Sequence, residues 1–228
     1  MTLLRVERYP TSLNTKLQVP TALRFGGSGY NTFTGAVVAP ASATLNSLTT
    51  MTVEAWILSE SNEWANNGQR VIDGVIQLFP YFATNAIQFQ VNGGSGTVRN
   101  SVPQTLGAWT HVAGTYNGTT TTLYVNGALI TTAAYTGNSG TPANFTIGNG
   151  TGANRAWVGS IQELRLSNNL RYSATFTPQQ SVFTSDANTL LLYHMNEGTG
   201  TTCFDSGPNG LHAPFTGTVY PTWGPGLF

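Results

Sequence analysis

WTHVAGTYNGTTTTLYVNGALI, residues 109–130, carries the pattern on which the fold turns. Trp109, His111 and Ala113 alternate with Thr110, Val112 and Gly114, the period-two signature of a strand. Asn117-Gly118 interrupts that strand as a turn. Leu123 and Val125 share one face of the next strand, and Asn126-Gly127 supplies residues that tolerate φ > 0 for a tight hairpin into Ala128–Ile130. The stretch predicts a three-strand antiparallel meander without a single charged side chain. Its row TTTT (119–122) reads as a solvated strand edge, because threonine favours strands and pairs across them without a ligand.

The same grammar continues on both sides. MTVEAWIL (51–58) sets Val53, Ala55 and Ile57 against Thr52, Glu54, Trp56 and Leu58. AIQFQV (86–91) places Ile87, Phe89 and Val91 on one face; FTIGNG (145–150), WVGSIQELRL (157–166) and NTLLLYHM (188–195) complete the set. Helical periodicity is nearly absent, and Gly, Thr, Asn and Ser punctuate the chain at short intervals. The expected architecture is all-β, an antiparallel jelly-roll sandwich of two sheets. Residues 23–228 form one domain, a size such folds reach as a single unit. Residues 1–22, with Pro10 and Pro20, form an N-terminal arm, which either packs on its own domain or docks on a partner. TPQQSVFTSDAN (177–188) is a connector, and Trp56 and Trp109 fall within strands as core residues.

Composition narrows the function. Charged residues make up 8% of the chain and the formal net charge is +0. Nucleic acid is therefore not expected as a partner, since phosphate binding needs clustered Lys and Arg; here Lys16 is the sole lysine and the arginines are scattered. No membrane is expected either, as no run approaches the ~20 apolar residues of a span. MTLLRVERYP lacks the apolar run of a signal peptide, so the expectation is synthesis in a cytoplasm without classical export. Cys203 is the only cysteine, which excludes an intrachain disulfide and a four-cysteine zinc site.

These motifs resemble the laminin-G-like jelly rolls of the concanavalin A-like lectin/glucanase superfamily. The resemblance rests on MTVEAW (51–56), GAWTHVAGTYNGTTTTLYVNGALI (107–130), FTIGNG (145–150), WVGSIQELRLSNNLRYSATFTP (157–178) and DANTLLLYHMNEGTGTTCFDSGPNGLHAP (186–214), and covers most of residues 23–228. Such modules often begin with an element like NEGTGTTCFDSGPNG, which here lies near the end. The chain thus looks circularly permuted, which implies that Phe228 lies close to Leu23–Phe25. LRYSATFTP followed by DANTLLLYHMNEG is similar to modules of phage head and tail proteins. One such sandwich hosts lectins, hydrolases, adhesive modules and virion proteins, so the resemblance implies a fold more firmly than a function.

Catalysis finds little material. Glu54 and Glu60 in EAWILSE sit roughly 20 Å apart along a strand, whereas paired glycosidase carboxylates need about 5–9.5 Å. Glu163 near Arg165 reads as half of a surface pair. GGSGY and GNSGT are not the strand–turn–helix elbow of a nucleophilic serine. His111 and His194 fall within strands as hydrogen-bonded structural histidines, and Cys203 reads as a small buried hydrophobe. Calcium is the one cofactor considered: the resemblance puts Asp in related modules where this chain has Gly26 and Asn196, which removes charge. Asp205, Asn209 and the carbonyls of DSGPNG remain as ligands, against a reading in which both residues close their own Asx turns.

Carbohydrate binding suits the composition better. SESNEWANNGQR (59–70) is a polar loop with Trp64 at its middle, a platform for a sugar ring with Asn62, Asn66, Asn67 and Arg70 nearby. The competing reading folds Trp64 back onto the core. Trp157, beside Arg155, is a second platform.

The expectation is a non-catalytic virion structural protein displayed on a phage particle, as a head decoration or tail-fibre module. Its partners are other virion proteins through residues 1–22, cell-surface glycans held weakly, and further copies of itself; its location is the virion surface. The alternatives are a free-standing extracellular lectin-like module and a divergent glycoside hydrolase.

Overall fold

The computed structural model describes residues 19–26, 34–61, 68–81, 86–99, 104–141 and 145–228. In chain order the strands are β1 (Thr21–Phe25), β2 (Ala36–Ala39), β3 (Met51–Ser59), β4 (Ile72–Asp73), β5 (Ile76–Tyr81), β6 (Ala86–Val91), β7 (Val98–Arg99) and β8 (Trp109–Tyr116). They continue with β9 (Thr120–Val125), β10 (Ala128–Ala134), β11 (Phe145–Ile147), β12 (Gly159–Ser167), β13 (Thr189–Tyr193), β14 (Thr202–Cys203), β15 (Ala213–Thr216) and β16 (Thr222–Pro225). Among the described residues, only two single 3-10 turns, Ala43–Leu45 and Asn92–Gly94, are helical, and no helix is long and apolar enough to cross a membrane.

The strands form two eight-stranded antiparallel sheets. The first runs β10-β9-β8-β3-β12-β1-β16, with β13 also paired to β12; the second runs β14-β15-β2-β11-β4-β5-β6-β7. This is the expected jelly-roll sandwich. Each strand delivers alternate side chains to a shared core, so Val53, Ala55 and Ile57 of β3 join Ile87, Phe89 and Val91 of β6 in one buried cluster. The sheets come very close where Gly114 of β8 faces Phe89 of β6: a Cβ on Gly114 would overlap the Phe89 ring. A glycine there is what lets the aromatic ring pass under the backbone.

The meander of β8, β9 and β10 forms as the sequence predicts. Asn126 (φ 48°) and Gly127 (φ 77°) both take positive φ, the type I′ pattern that matches strand twist. Asn117 Oδ1 closes the other turn by accepting the N–H groups of Thr119 and Thr120 at 3.0 and 2.8 Å. The threonine row, however, is not an edge. β9 lies between β8 and β10, and Thr121 is completely buried. The hairpin adds one more strand outside the row, and β10 takes the edge instead.

β12 departs from regularity at Glu163. Its pairing with β3 shifts register between Gln162 and Arg165, and Glu163 has φ 56°. This bulge keeps Ile161, Leu164 and Leu166 in the core while Gln162, Glu163 and Arg165 all engage groups outside it. The 168–188 connector, which carries no strand, lies across that outer side. Thr52 Oγ1 donates to Asn169 O and accepts from Arg171 N, at 2.7 and 2.9 Å. Farther along, Phe176 N donates to Gly127 O at 2.9 Å.

The ends meet. β16 pairs with β1 in the register Leu23↔Trp223, and Gln162 Nε2 donates to both Thr21 O and Phe228 O, at 3.1 and 3.4 Å. β16 thus lies beside β1, but Phe228 itself falls beside Thr21 rather than Leu23–Phe25. β1 begins at Thr21, so the strand takes in the last two residues assigned to the arm; residues 1–18 of the arm lie outside the described residues.

Candidate functional site

The outer face of the first sheet concentrates charge beneath the connector. Glu54, from β3, is completely buried. Its Oε1 accepts from Arg165 Nε and Nη2 at 2.9 and 2.7 Å, and its Oε2 faces Tyr172 OH at 2.7 Å and His111 Nε2 at 3.1 Å. A carboxylate has about four lone-pair directions, and here four donors occupy them. Burial alone pushes the Glu54 carboxyl up, but the His111 hydrogen bond, the Arg165 and His111 charges and the Tyr172 hydroxyl together hold it below the ordinary carboxylate value. Such a group is neither a proton donor near neutral pH nor an open nucleophile.

Glu163 does similar work one step along the bulge. It is completely buried, accepts Phe183 N at 2.7 Å and holds His194 Nδ1 at 2.9 Å. The expectation of a surface pair with Arg165 is thus corrected: the bulge turns Glu163 toward His194, and Arg165 goes to Glu54. The Glu163 hydrogen bond raises the pKa of His194, with burial opposing and the charges of Glu163 and Glu197 assisting. His111, in β8, and His194, just after β13, are each hydrogen-bonded to a buried carboxylate.

Trp56, Phe183 and Leu192 form a small apolar cluster with Trp109, Leu227 and Phe228. Tyr172 and Phe176 stack in parallel with centroids 3.5 Å apart. The connector covers Glu54 itself, while Arg165, Arg171, Tyr172 and Asp186 line a depression of about 540 Å³ beside it.

The outer face of the second sheet is open. Thr146 of β11 pairs with Val38 of β2 on one side and Asp73 of β4 on the other, so three outward side chains stand in a row across three strands. Val38, Asp73, Val75, Gln77, Thr141, Thr146 and Thr151 line a depression of about 530 Å³ together with Gly74. A second depression, of about 200 Å³, shares Val38, Thr146 and Thr151 and continues to Thr216 and Thr218. The inward partners Val37, Ile72, Phe145 and Ile147 belong to the core, so strand alternation itself creates the polar floor.

Asp73 organises that floor. Its Oδ1 accepts from Gln77 Nε2 at 2.6 Å and Arg70 Nε at 3.2 Å, and its Oδ2 accepts from Thr151 N at 2.8 Å. Among the described residues these three donors leave one acceptor direction on Oδ2. With its Nε2 committed to Asp73, Gln77 keeps Oε1 as an acceptor. The groove therefore offers a carboxylate oxygen, an amide oxygen and threonine hydroxyls to a ligand rich in O–H donors.

The residues singled out from sequence fall differently. Trp64, Asn62, Asn66 and Asn67 lie outside the described residues. Arg70 is described and is 5% exposed; it donates to Gly68 O at 2.6 Å and stacks 3.8 Å from the Phe79 ring. Burial lowers its pKa to about 10, with Asp73 pulling the other way. It braces the groove from behind. Trp157 is corrected from surface platform to core: it is completely buried, and its indole N–H donates to Ser160 O at 3.3 Å.

Asp205 and Asn209 close a loop. Asp205 accepts the N–H groups of Leu192 and Gly207 on Oδ1 and of Leu211 on Oδ2, at 2.9, 2.8 and 2.9 Å, and Asn209 Nδ2 donates to Leu190 O at 2.8 Å. The Asp205–Gly207 bond is an Asx turn, whereas Asn209 ties the loop to β13 rather than closing a turn of its own. Among the described residues, no three His, Cys, Asp or Glu side chains converge as metal ligands. Cys203 is buried in the core, and burial raises its thiol pKa. Sequence reasoning passed over Asp73, Gln77 and Thr146; the available signal was their position as isolated polar residues among apolar ones in VIDGVIQLF (71–79) and FTI (145–147).

A sequence family described as the concanavalin A-like lectin/glucanases superfamily matches residues 26–175, more than half of the chain. Comparison with curated proteins finds no match. Among solved structures, a candidate carbohydrate-binding protein from Bacteroides ovatus superposes with a TM-score of 0.66 at 18% identity, over 92% of this chain and 60% of that one. The chain thus spans less than two thirds of that relative's length. A heptameric SAP-like pentraxin from Limulus polyphemus gives a TM-score of 0.51 at 16% identity, over 67% of this chain and 78% of that one. At such identities the likeness is one of fold.

Proposed function

The chain belongs to the concanavalin A-like lectin/glucanases superfamily, and from that premise we propose that it is a non-catalytic carbohydrate-binding module whose sugar lies on the outer face of the second sheet. The observation that carries this reading is the row Val38–Thr146–Asp73 with Gln77 beside it. Sugar hydroxyls are donors, and the row supplies acceptors already fixed in place by Arg70 and Thr151 N. Fixed polar groups cost less ordering on binding than mobile ones. Among the described residues that line the groove, Asp73 is the sole carboxylate, whereas glycoside hydrolysis ordinarily uses a pair about 5–9.5 Å apart. No aromatic side chain is among those lining residues, so the affinity expected for a short sugar is weak, with Kd on the order of 1 mM.

Titration of a panel of neutral and acidic oligosaccharides against the ¹⁵N-labelled protein tests the reading. Resonances of Gln77, Thr146 and Thr151 should move with neutral ligands, and Gln77→Ala should weaken binding about tenfold, the loss of roughly 1.4 kcal/mol. Shifts that map to another surface, or an unaltered Kd in the variant, would rule the groove out.

Display on a phage particle through residues 1–22 is the wider setting we assign. Its support is the likeness of LRYSATFTP (170–178) and DANTLLLYHMNEG (186–198) to phage head and tail modules. Because β1 starts at Thr21, the informative truncation removes residues 1–18: solution mass of the full and truncated chains should differ if the arm joins copies together. Equal monomeric masses would remove the arm as a self-assembly device.

A further inference from the structure

We infer that the groove takes an internal stretch of a linear polysaccharide, laid across the strands, rather than the terminal sugar of a glycan. This deepens the carbohydrate reading and rests on it. The two depressions on the second sheet share Val38, Thr146 and Thr151, so they are parts of one groove. Its residues come from β15 (Thr216), β2 (Val38), β11 (Thr146), β4 (Asp73) and β5 (Gln77), five strands that are consecutive neighbours in the sheet. Four intervals at about 4.8 Å give a groove roughly 19 Å long. A sugar ring is about as broad as one strand interval, so the groove has room for about four rings in a line.

Polar groups line both parts of that groove: Asp73, Gln77, Thr141, Thr146 and Thr151 the larger depression, and Thr216 and Thr218 the extension beyond it. Gln77 and Asp73 stand toward one end, Thr146 and Thr151 in the middle, and Thr216 and Thr218 at the other end. At the far end, Thr218 N and hydroxyl both meet the Thr34 hydroxyl, at 2.9 and 2.8 Å, which holds that part of the wall in place. The extension past Thr151 to Thr216 and Thr218 gives a longer chain contacts that a single ring in the larger depression does not reach.

The test is a ladder of glucan, xylan and galactan oligomers from one to six units, titrated calorimetrically into the full-length protein and into Thr218→Trp. Thr218 is exposed, so a bulky side chain there obstructs the groove without entering the core; unchanged thermal unfolding confirms that. The expected result is a Kd that falls at least tenfold from one unit to four and then levels off, with the advantage of four units over two removed in Thr218→Trp. Binding of a monosaccharide as tight as that of the four-unit chain overturns this inference and leaves the carbohydrate reading standing. A ladder in which no length binds overturns both.

Discussion

Glu54 on the first sheet and Asp73 on the second are both strand carboxylates on the outer side of a sheet, and both hold arginine. Glu54 is completely buried and meets four donors; Asp73 meets three and lines an open groove. The difference lies in what crosses above them. Tyr172 of the connector supplies the fourth donor to Glu54 and shuts out water, whereas nothing among the described lining residues takes the last direction of Asp73. The same chemistry becomes a staple where the chain folds over it and keeps an acceptor facing the groove where it does not.

The most severe way to break this comparison is Glu54→Ala. Removing one member of a buried ionic network leaves Arg165 uncompensated, a loss of about 3–5 kcal/mol. At about 2–4 °C per kcal/mol for a chain of this size, Tm should drop by roughly 6–20 °C. Protein that remains folded should bind glycans in the groove as before. Lost binding without lost stability would show the two faces to be one functional unit, which the comparison denies.

Gly114→Ala acts on the layer between the faces. The new methyl meets the Phe89 ring, and overpacking of this kind costs about 1–3 kcal/mol. Denaturant unfolding should report it. Because β6 lies in the same sheet as the groove, a shift of Phe89 is also the substitution best placed to disturb both faces together. No change in stability would mean that the sheets separate more easily than the packing implies.

How much of this was legible in the sequence follows the same division. Alternation fixes which way a side chain points, so Val53, Ala55, Ile57, Ile87, Phe89 and Val91 could be placed in the core, and Asn126-Gly127 named its own turn. Alternation fails at a bulge, and there Glu163 was misplaced. It also says nothing of what covers an outward face. Trp157 therefore looked like a surface aromatic until tertiary contacts placed it inside. The groove was missed for a related reason: Val38, Thr146 and the Asp73–Gln77 hairpin are distant in sequence and adjacent only through strand order, which no local pattern encodes. Attention went to Trp64 because an aromatic among amides is conspicuous in a line of letters, while a lone Asp or Gln in a strand is not.

A milder probe sharpens the stapled side. The His194 pKa is raised in the folded protein by Glu163, so the folded state binds that proton more tightly than the unfolded one. The stabilisation is complete below the unfolded histidine value of about 6.5 and is lost as pH rises through the higher folded value. Tm should therefore decline from pH 6 toward alkaline pH more steeply in the wild type than in His194→Gln, which cannot titrate. Parallel profiles would separate His194 from the anchoring of Phe183. Groove affinity should not follow this titration.

The smallest effect on the fold is expected from Gln77→Ala, and it is the sharpest test of the contrast. Gln77 is only partly buried, and its amide donates to a carboxylate that retains Arg70 and Thr151 N. Removing it leaves Asp73 paired, so stability should change by no more than about 1 kcal/mol, the range of a single replaceable hydrogen bond. Binding is another matter, because the substitution deletes the amide oxygen and also frees the Asp73 oxygen that the amide had occupied. If the groove is a recognition surface, thermal unfolding stays nearly unchanged while glycan affinity drops about tenfold, the reverse of what Glu54→Ala should do. If instead Gln77→Ala destabilises the protein as much as it weakens binding, Asp73 and Gln77 are a staple like Glu54, and the open face is merely the one whose polar network is less deeply covered.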